Sequence, residues 1–344
     1  MKKRDLSVFF NRITNWMIPV SAAAITLFVL FTPPRPGVAD QGDFQRIMDA
    51  AGLQETEKSL AEPESRFYQY VKADYEMIPV NPFRLFTASS MICPILLARL
   101  ICKAAGLVYF NTGILAVVYA AIYIAAIFMC LKWMGLKHIP VFVVACFAVL
   151  GVMLDGNYLV WFNSLYGEPM MCIGLLLFTA AALYAIRSEA LRVKNLLLLF
   201  IAALLFLGSK AQCITALPFV AFMLIRLFTA KSICFFSRYN RLQLTRPAYS
   251  DTGRYARPLS SAIIWAISLV LLFAYVMGFY SQQNKTCGVD TKYNAVFYGI
   301  LKNSDDPERD LEMLGLSGDL AVEAGKHAYL PQNEYVRYVP WSEI

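Results

Sequence analysis

The sequence predicts an all-α polytopic membrane protein, and three observations support this fold class. Of the 344 residues, 58% are apolar and only 16% are charged, against about 25% charged residues in an ordinary soluble domain. The apolar residues form runs that approach the length of about 20 residues that a helix needs to cross the hydrocarbon core. Basic residues cluster in alternate connections between these runs. The net charge of +7 therefore reflects membrane topology, and we expect no nucleic-acid binding.

Seven apolar runs are candidate transmembrane helices. The first covers residues 15–32, after a short N-terminal segment of residues 1–14. The other six lie within 112–281, at roughly 112–133, 139–155, 169–187, 195–209, 213–229 and 260–281. A long loop of residues 33–111 separates the first helix from the second, and residues 282–344 follow the seventh. Loops of this length are usually functional.

The distribution of charge orients the chain in the cell membrane. With the N-terminus in the cytoplasm, the cytoplasmic segments carry about half of the Lys and Arg residues but only three acids, Asp5, Glu189 and Asp251. The basic loop 230–258 is the strongest cytoplasmic marker. The loop 33–111 and the C-terminal segment 282–344 are then extracytoplasmic.

Residues 86–108 are apolar enough to be a further span, but Arg99 and Lys103 lie within them. A charged side chain in the middle of a bilayer costs several kcal/mol unless it is satisfied. We therefore predict an amphipathic helix at the outer surface. If the segment crossed the membrane, every later loop would change sides and the basic loop 230–258 would face outward.

Two helix starts are marked in the outer segments. In the first, Asp43 is a candidate N-cap for a helix with the apolar face Phe44, Ile47, Met48 and Ala51, ending at Gly52. In the C-terminal segment, Asp306 is a candidate N-cap, Pro307 the first helical residue and Gly315 the stop signal.

The residue inventory limits the chemistry. Only two histidines are present, which excludes a His-based metal cluster and argues against a Ser-His-Asp triad. The eight cysteines form no C-x-x-C pair and mostly fall in apolar runs, where they act as small apolar residues. The remaining candidates for reactive side chains are carboxylates, lysine and arginine.

Three places carry such residues on the predicted outer side. Asp40 and Asp43 follow the first span, and either is a candidate general base. The sequence alone favours a helix cap for Asp43, and the two roles are compatible. Glu168 precedes the fourth span, close to Asn163 and Tyr166. An acid also suits the start of a helix for its dipole alone. Aromatic and amide side chains beside a carboxylate also suit sugar binding.

The third place is a turn between the fifth and sixth spans, Gly208-Ser209-Lys210-Ala211-Gln212. Lys210 either extends its ammonium group to the interface or pairs with the phosphate of a lipid. Arg46, in the first outer loop, is a second candidate for the phosphate.

These segments, in this order, resemble the GT-C superfamily of multi-span glycosyltransferases. Four of them resemble more closely the bacterial glycan-biosynthesis hexose transferases of the WsfD type. They are GDFQRIMDAAGL (42–53), FNSLYGEP (162–169), GSKAQ (208–212) and VFYGILKNSDDPERDLEMLGL (296–316).

The resemblance implies an inverting transfer of a hexose from a polyprenyl-phosphate donor to a surface glycan or another envelope acceptor. Asp43 would be the base, with Asp40 as its substitute, and Glu168 a second acid. Lys210 and Arg46 would bind the donor phosphate, with Gln212, Tyr166 and Asn163 lining the substrate site. Members of the superfamily differ in their need for a divalent metal, and this sequence favours neither case; no cofactor is indicated otherwise.

A transporter or flippase of a lipid-linked envelope precursor is the alternative function, and a membrane-anchored structural subunit is a third. Transporters usually carry ionisable residues near the midplane and interrupted helices in related halves. The predicted spans are nearly free of such charges, which favours the transferase. Because relatives of this kind have further spans, we expect the chain, which ends after residues 317–344 without one, to be truncated.

Overall fold

A computed structural model describes residues 16–38, 40, 44–56, 74–85, 88–136, 139–188, 193–229, 258–281, 287–328, 336 and 339. The chain divides into two compact units, Met1–Ser281 and Gln282–Ile344. Both units are mostly helical in the described residues. Each unit is described by itself below.

The described residues of the first unit form eleven helices. They are α1 (Ile18–Phe31), α2 (Phe44–Ala51), α3 (Pro82–Leu85), α4 (Ile92–Ala104), α5 (Thr112–Met134), α6 (Ile139–Phe147, continued as a π-helix to Met153), α7 (Gly156–Leu159, continued as a 3-10 helix to Asn163), α8 (Glu168–Arg187), α9 (Val193–Leu207), α10 (Ala211–Thr229, opening with a 3-10 turn) and α11 (Pro258–Ser281).

Three of these helices, α5, α8 and α10, are long and apolar enough to cross a membrane. The bent pair of α6 and α7 adds a fourth crossing if its two arms count as one span. The other three predicted spans coincide with shorter apolar helices: α1, α9 and the part of α11 from Trp265 onward. The prediction of a multi-pass membrane protein is confirmed, whereas the number of seven crossings stays a prediction.

The prediction that the fold is all-α is wrong for the long loop between α1 and α5. A small antiparallel sheet lies there, made of β1 (Leu53–Gln54), β2 (Asp74–Met77) and β3 (Tyr109–Asn111), in that order. Tyr75 pairs with Phe110, and the side chains of both are buried. Strands of two to four residues are too short for the alternation of apolar and polar residues that reveals a strand in a sequence.

Helix α4 occupies the apolar segment that carries Arg99 and Lys103. Its 13 residues extend about 20 Å at about 1.5 Å per residue, which is short of the roughly 30 Å hydrocarbon core. One face is buried and includes Ile95, Ala98 and Arg99, while Leu100 is 63% exposed. The exposed side of the helix is thus largely apolar apart from Lys103. Its amphipathic character and its position at the outer membrane surface stay predictions.

Arg99 is satisfied by the backbone of its own unit, which explains how a charge is tolerated in this apolar segment. Its side chain is 6% exposed. The guanidinium donates to the carbonyl oxygens of Ala51, Gly52 and Ile78, with a distance of 2.6 Å to Gly52. Arg99 therefore fastens the end of α2 and the segment after β2 to α4.

The end of α2 shows why residue 52 is glycine. Gly52 has φ +63°, and a Cβ there would lie 2.6 Å from the carbonyl oxygen of Ile78 and in collision with Arg99. A glycine after the last helical residue is the usual helix stop. The predicted helix end at Gly52 is confirmed, as is the buried face of Phe44, Ile47, Met48 and Ala51.

Close packing of two membrane helices depends on Gly174. A Cβ at this position of α8 would lie 2.7 Å from the Cα atom of Phe206 in α9. Small residues allow this approach of helix backbones in membranes. Residues of α8 take part in two buried apolar clusters, one with helices α1 to α7 and one with α9, α10 and α11.

The second unit is built from α12 (Cys287–Tyr293), a π-helix Asn294–Ile300, a 3-10 turn Leu301–Asn303, α13 (Pro307–Met313) and a 3-10 helix Gly318–Glu323. Tyr293, Phe297 and Leu311 belong to its apolar core. The predicted signals of α13 are confirmed. Asp306 accepts a hydrogen bond from the Arg309 amide at 3.3 Å, and Gly315 has φ +76°.

Candidate functional site at the Glu168–Lys210 ion pair

Glu168 and Lys210 form an ion pair in the first unit. Glu168 is the first residue of α8, and Lys210 immediately precedes α10. The ammonium group of Lys210 donates to Oε1 of Glu168, and the side chains are 33% and 20% exposed, respectively. Two of the three places that the sequence marks for chemistry are thus joined directly.

The second carboxylate oxygen of Glu168 is in a different situation. Oε2 is buried and has no hydrogen-bond partner among the residues that the structure describes. A carboxylate oxygen is an acceptor only. Glu168 therefore pairs with Lys210 through one carboxylate oxygen, and its second oxygen can accept a hydrogen bond from a hydroxyl group.

Gly167 allows the two turns to approach each other. A Cβ at Gly167 would lie 2.9 Å from the carbonyl oxygen of Ser209 and 3.7 Å from the Lys210 side chain. The start of α8 therefore packs against the backbone of the turn that carries Lys210. This contact depends on the absence of a side chain at residue 167.

Two serines fix the same turn from the side of α4. Ser89 Oγ donates to the carbonyl oxygen of Ser209 at 2.6 Å. The amide of Ser90 donates to Gly208 O at 2.8 Å, and its hydroxyl donates to Leu205 O at 2.6 Å. No local signal in the sequence marks these two serines, because their partners lie 115 to 120 residues away along the chain.

Aromatic rings connect the ion pair to the first outer loop. Tyr166, two residues before Glu168, is buried. Its ring meets the ring of Phe44 edge-on at 4.7 Å between centroids, and that of Trp161 at 5.2 Å. Phe44 is the first residue of α2, so this contact brings the start of α2 to the segment that precedes Glu168.

Asp40 lies at the start of α2. Its side chain is 3% exposed, and Oδ1 accepts a hydrogen bond from the Phe44 amide at 3.3 Å. Asp40 thus caps the amide of Phe44, the first residue of α2. Asp43 and the side chain of Arg46 lie outside the described residues, so their proposed roles stay predictions.

The two remaining predicted site residues differ in their surroundings. Asn163 is buried, and its amide nitrogen donates to the carbonyl oxygens of Leu30 at 3.1 Å and Pro36 at 2.9 Å. These bonds tie the end of α1 to α7, which favours a positioning role. Gln212 is exposed in the first turn of α10, two residues after Lys210, where its side chain is accessible to a ligand.

Among the described residues, no group of three or more His, Cys, Asp or Glu side chains is arranged to hold a metal ion. The described carboxylates of Glu168 and Asp40 are not part of such a group. The chemistry that the described site can perform is acceptance of a proton by a carboxylate and attraction of an anion by lysine.

The fold and the site together define a multi-pass membrane protein with a charged pair between the ends of its helices. Comparison with known proteins gives the family: the chain belongs to the family described as the YfdI N-terminal transmembrane domain, which matches residues 3–342. No curated protein and no solved structure matches the chain. The resemblance to hexose transferases of the WsfD type stays a prediction.

Proposed function

We propose that the protein is a membrane glycosyltransferase that moves a hexose from a polyprenyl-phosphate donor to a surface glycan or another envelope acceptor on the extracytoplasmic side. The observation that carries this proposal is the Glu168–Lys210 pair, with its second carboxylate oxygen unoccupied by any described partner. Both side chains retain some exposure, so a ligand can reach them. The resemblance of the surrounding segments to GT-C enzymes supports the same reading.

The pair suits the recognition of a lipid phosphate. Lysine attracts phosphate as a compact point charge, and a phosphate is a stronger anion than a carboxylate. In the unliganded protein Glu168 neutralises Lys210. When the donor binds, its phosphate takes the place of Glu168 on Lys210, and the carboxylate is released towards the acceptor.

The transfer step then needs little beyond a base. The acceptor hydroxyl gives its proton to a carboxylate, and its oxygen forms a bond to the anomeric carbon of the hexose. The bond from this carbon to the phosphate oxygen breaks, and the polyprenyl phosphate leaves with the electron pair, next to Lys210. General-base catalysis of this kind contributes about 10²–10⁴-fold.

Two carboxylates of the first outer loop compete for the role of base. Asp43 is the residue that the resemblance implies, and Asp40 is the described cap of α2, whose first residue contacts Tyr166. Glu168 then orients the acceptor or donor. Substitution of each acid separately distinguishes these roles.

The experiment is transfer of a labelled hexose from a polyprenyl-phosphate donor by the purified chain in proteoliposomes. We expect Asp43→Asn to abolish transfer while membrane insertion is unchanged. Asp49→Asn is the matched control, because Asp49 lies on the same helix α2 and pairs with Arg84 at 2.5 Å. Full activity of both Asp43→Asn and Asp40→Asn would contradict the proposed base.

The same vesicles separate the transferase from a transporter. Movement of the labelled donor across the bilayer without transfer of the hexose would contradict the proposal and favour a flippase. Transfer that depends on Glu168 and Lys210, with no flux of donor, is the expected result.

A further inference from the structure

A second polar surface lies at the bend between α6 and α7. The axes of the two arms, Ile139–Met153 and Gly156–Asn163, differ by 52°. The bend lines an open cavity of about 300 Å³, and its lining residues, Gly151, Val152, Asp155, Asn157 and Tyr158, are all exposed. This volume is at the lower end of the range of about 300–1,000 Å³ that is typical of small-molecule sites. None of these residues belongs to the Glu168–Lys210 site.

The bend is held firmly from the side of α5. The hydroxyl of Tyr123 donates to the carbonyl oxygen of Met153, the last residue of the first arm, at 2.8 Å. Phe162 in the second arm is 1% exposed and contacts the rings of Tyr119 at 5.8 Å and Tyr123 at 5.4 Å. The same helix thus fixes both arms, and the shape of the cavity does not depend on a ligand.

The side chains at the cavity offer the groups that a sugar requires. Asp155 Oδ1 accepts a hydrogen bond from the Asn157 amide at 2.8 Å, so the carboxylate is oriented by its own turn. Asp155 and Asn157 are exposed and provide acceptors and donors for hydroxyl groups. Tyr158 is 49% exposed, and its ring offers a flat apolar face with a hydroxyl at its edge.

The stretch of chain between the cavity and the ion pair carries two aromatic rings in contact. Trp161 follows Tyr158 by three residues, and its ring packs against Tyr166 at 5.2 Å. Tyr166 precedes Glu168 by two residues. The lining of the cavity and Glu168 thus belong to one stretch of chain.

We propose that the cavity at the bend is a carbohydrate subsite that binds a hexose unit of the acceptor glycan, with Tyr158 stacked on the sugar ring and Asp155 and Asn157 bonded to its hydroxyls. The chemistry of the lining separates this ligand from the donor. The described cavity has an acid and an amide but no lysine or arginine, which disfavours a phosphate and favours a neutral sugar. The identification of the bound sugar as the acceptor rests on the proposed transferase function, whereas the binding of a sugar in this cavity does not.

The test is saturation-transfer difference NMR on the full chain in nanodiscs, with maltose, cellobiose, lactose and melibiose as probes. We expect at least one of these disaccharides to give a signal. In Tyr158→Ala the signal falls by about tenfold, because one aromatic contact is lost. The separate variant Asn157→Ala also weakens the signal, because a hydrogen-bonding side chain of the lining is lost. Tyr158→Phe keeps the ring and retains most of the signal.

Two controls keep the result interpretable. Tyr109→Ala removes another tyrosine of similar exposure, 46%, and should leave the signal unchanged. Lys103→Met, at an exposed position of α4 outside the cavity lining, should also leave it unchanged. Unchanged melting temperatures show that the variants are folded, and Asn157→Ala carries the test if Tyr158→Ala does not fold.

The outcomes separate this inference from the proposed function. No signal with any of the four disaccharides, or a signal that persists in Tyr158→Ala, overturns the subsite. A signal that depends on Tyr158 supports the subsite even if hexose transfer from a lipid donor is never observed, and in that case only the transferase proposal fails. If transfer does occur, the acceptor KM rises about tenfold in Tyr158→Ala, and the donor KM is unchanged.

Discussion

Arg99 and Lys210 are two cations of the same unit in apolar surroundings, and different kinds of partner stabilise their charges. Arg99 is 6% exposed and donates only to backbone carbonyl oxygens in the described hydrogen bonds. The Lys210 side chain is 33% exposed and pairs with the carboxylate of Glu168. A cation bound by backbone is committed to the fold, whereas one bound by a side chain can exchange its partner for a ligand. The comparison agrees with a structural role for Arg99 and with the proposed donor-binding role of Lys210.

The largest expected effect is on the reaction. Glu168→Gln keeps the size of the side chain and removes its charge, so we expect the transfer rate to fall about 10²-fold, because the acceptor or donor is no longer oriented. Steady-state transfer of labelled hexose in proteoliposomes measures this. Asp49→Asn is the control, because Asp49 is a carboxylate of the same unit whose ion-pair partner is Arg84 and not Lys210. Equal transfer rates for the wild type and Glu168→Gln would contradict a role of the Glu168–Lys210 pair in the reaction.

The next effect is on stability at Arg99. Arg99→Met removes a donor from three carbonyl oxygens, of which Gly52 O keeps the Ile78 amide at 2.9 Å, and a buried polar group left unsatisfied costs about 1–3 kcal/mol. We expect the melting temperature in detergent to fall by many degrees. Lys103→Met is the matched control, since Lys103 is exposed on the same helix α4. A melting temperature of Arg99→Met equal to that of the control would contradict the structural role.

Gly52 sharpens the assignment of Arg99. Gly52→Ala imposes a left-handed conformation that costs an L-residue about 1–2 kcal/mol, and its methyl group collides with the guanidinium and with Ile78 O. Gly106→Ala imposes the same conformation, φ +72°, but meets no atom within 4 Å. Thermal unfolding should therefore show a larger loss for Gly52→Ala. Equal losses would mean that the contact with Arg99 is unimportant.

A comparison of two membrane glycines tests the packing that holds α8, the helix that begins with Glu168. Alanine at Gly174 would place a methyl group 2.7 Å from the Phe206 backbone, whereas at Gly278 nothing lies within 4 Å. We expect Gly174→Ala to lower the melting temperature and Gly278→Ala to leave it unchanged or raise it slightly, because alanine favours a helix. The opposite order would contradict the described α8–α9 contact.

The smallest expected effect is on stability at Lys210. A partly exposed ion pair contributes about 0–1 kcal/mol, so Lys210→Met should scarcely change the melting temperature while it removes donor binding. Differential scanning fluorimetry provides the comparison with Arg99→Met. A loss of stability as large as that of Arg99→Met would contradict this prediction and show that Lys210, like Arg99, is needed for the fold.

Local signals in the sequence were sufficient for several features. The start of α8 at Glu168, one residue before Pro169, the turn at Lys210 and the signals of Asp306 and Gly315 all depend on neighbouring residues. The helix α5 at Thr112–Met134 follows from an uninterrupted apolar run. Such features need no knowledge of distant contacts.

Features that depend on distant contacts were not predictable from the sequence. The carbonyl partners of Arg99 are 21 to 48 residues away, and the partners of Ser89 and Ser90 are 115 to 120 residues away. The short strands β1 to β3 and the bend after Met153 also lack a periodic signal. The sequence marks Glu168 and Lys210 as separate candidates, and only the packing at Gly167 pairs them.

Binding of polyprenyl phosphate, without the sugar, to the chain in nanodiscs tests the central claim most directly. If the phosphate replaces Glu168 on Lys210, Lys210→Met weakens binding and Glu168→Gln strengthens it, because the competing carboxylate charge is gone. Microscale thermophoresis gives the Kd of each variant. Shifts of opposite sign agree with the exchange of partners on Lys210. The same affinity in wild type, Lys210→Met and Glu168→Gln would contradict it.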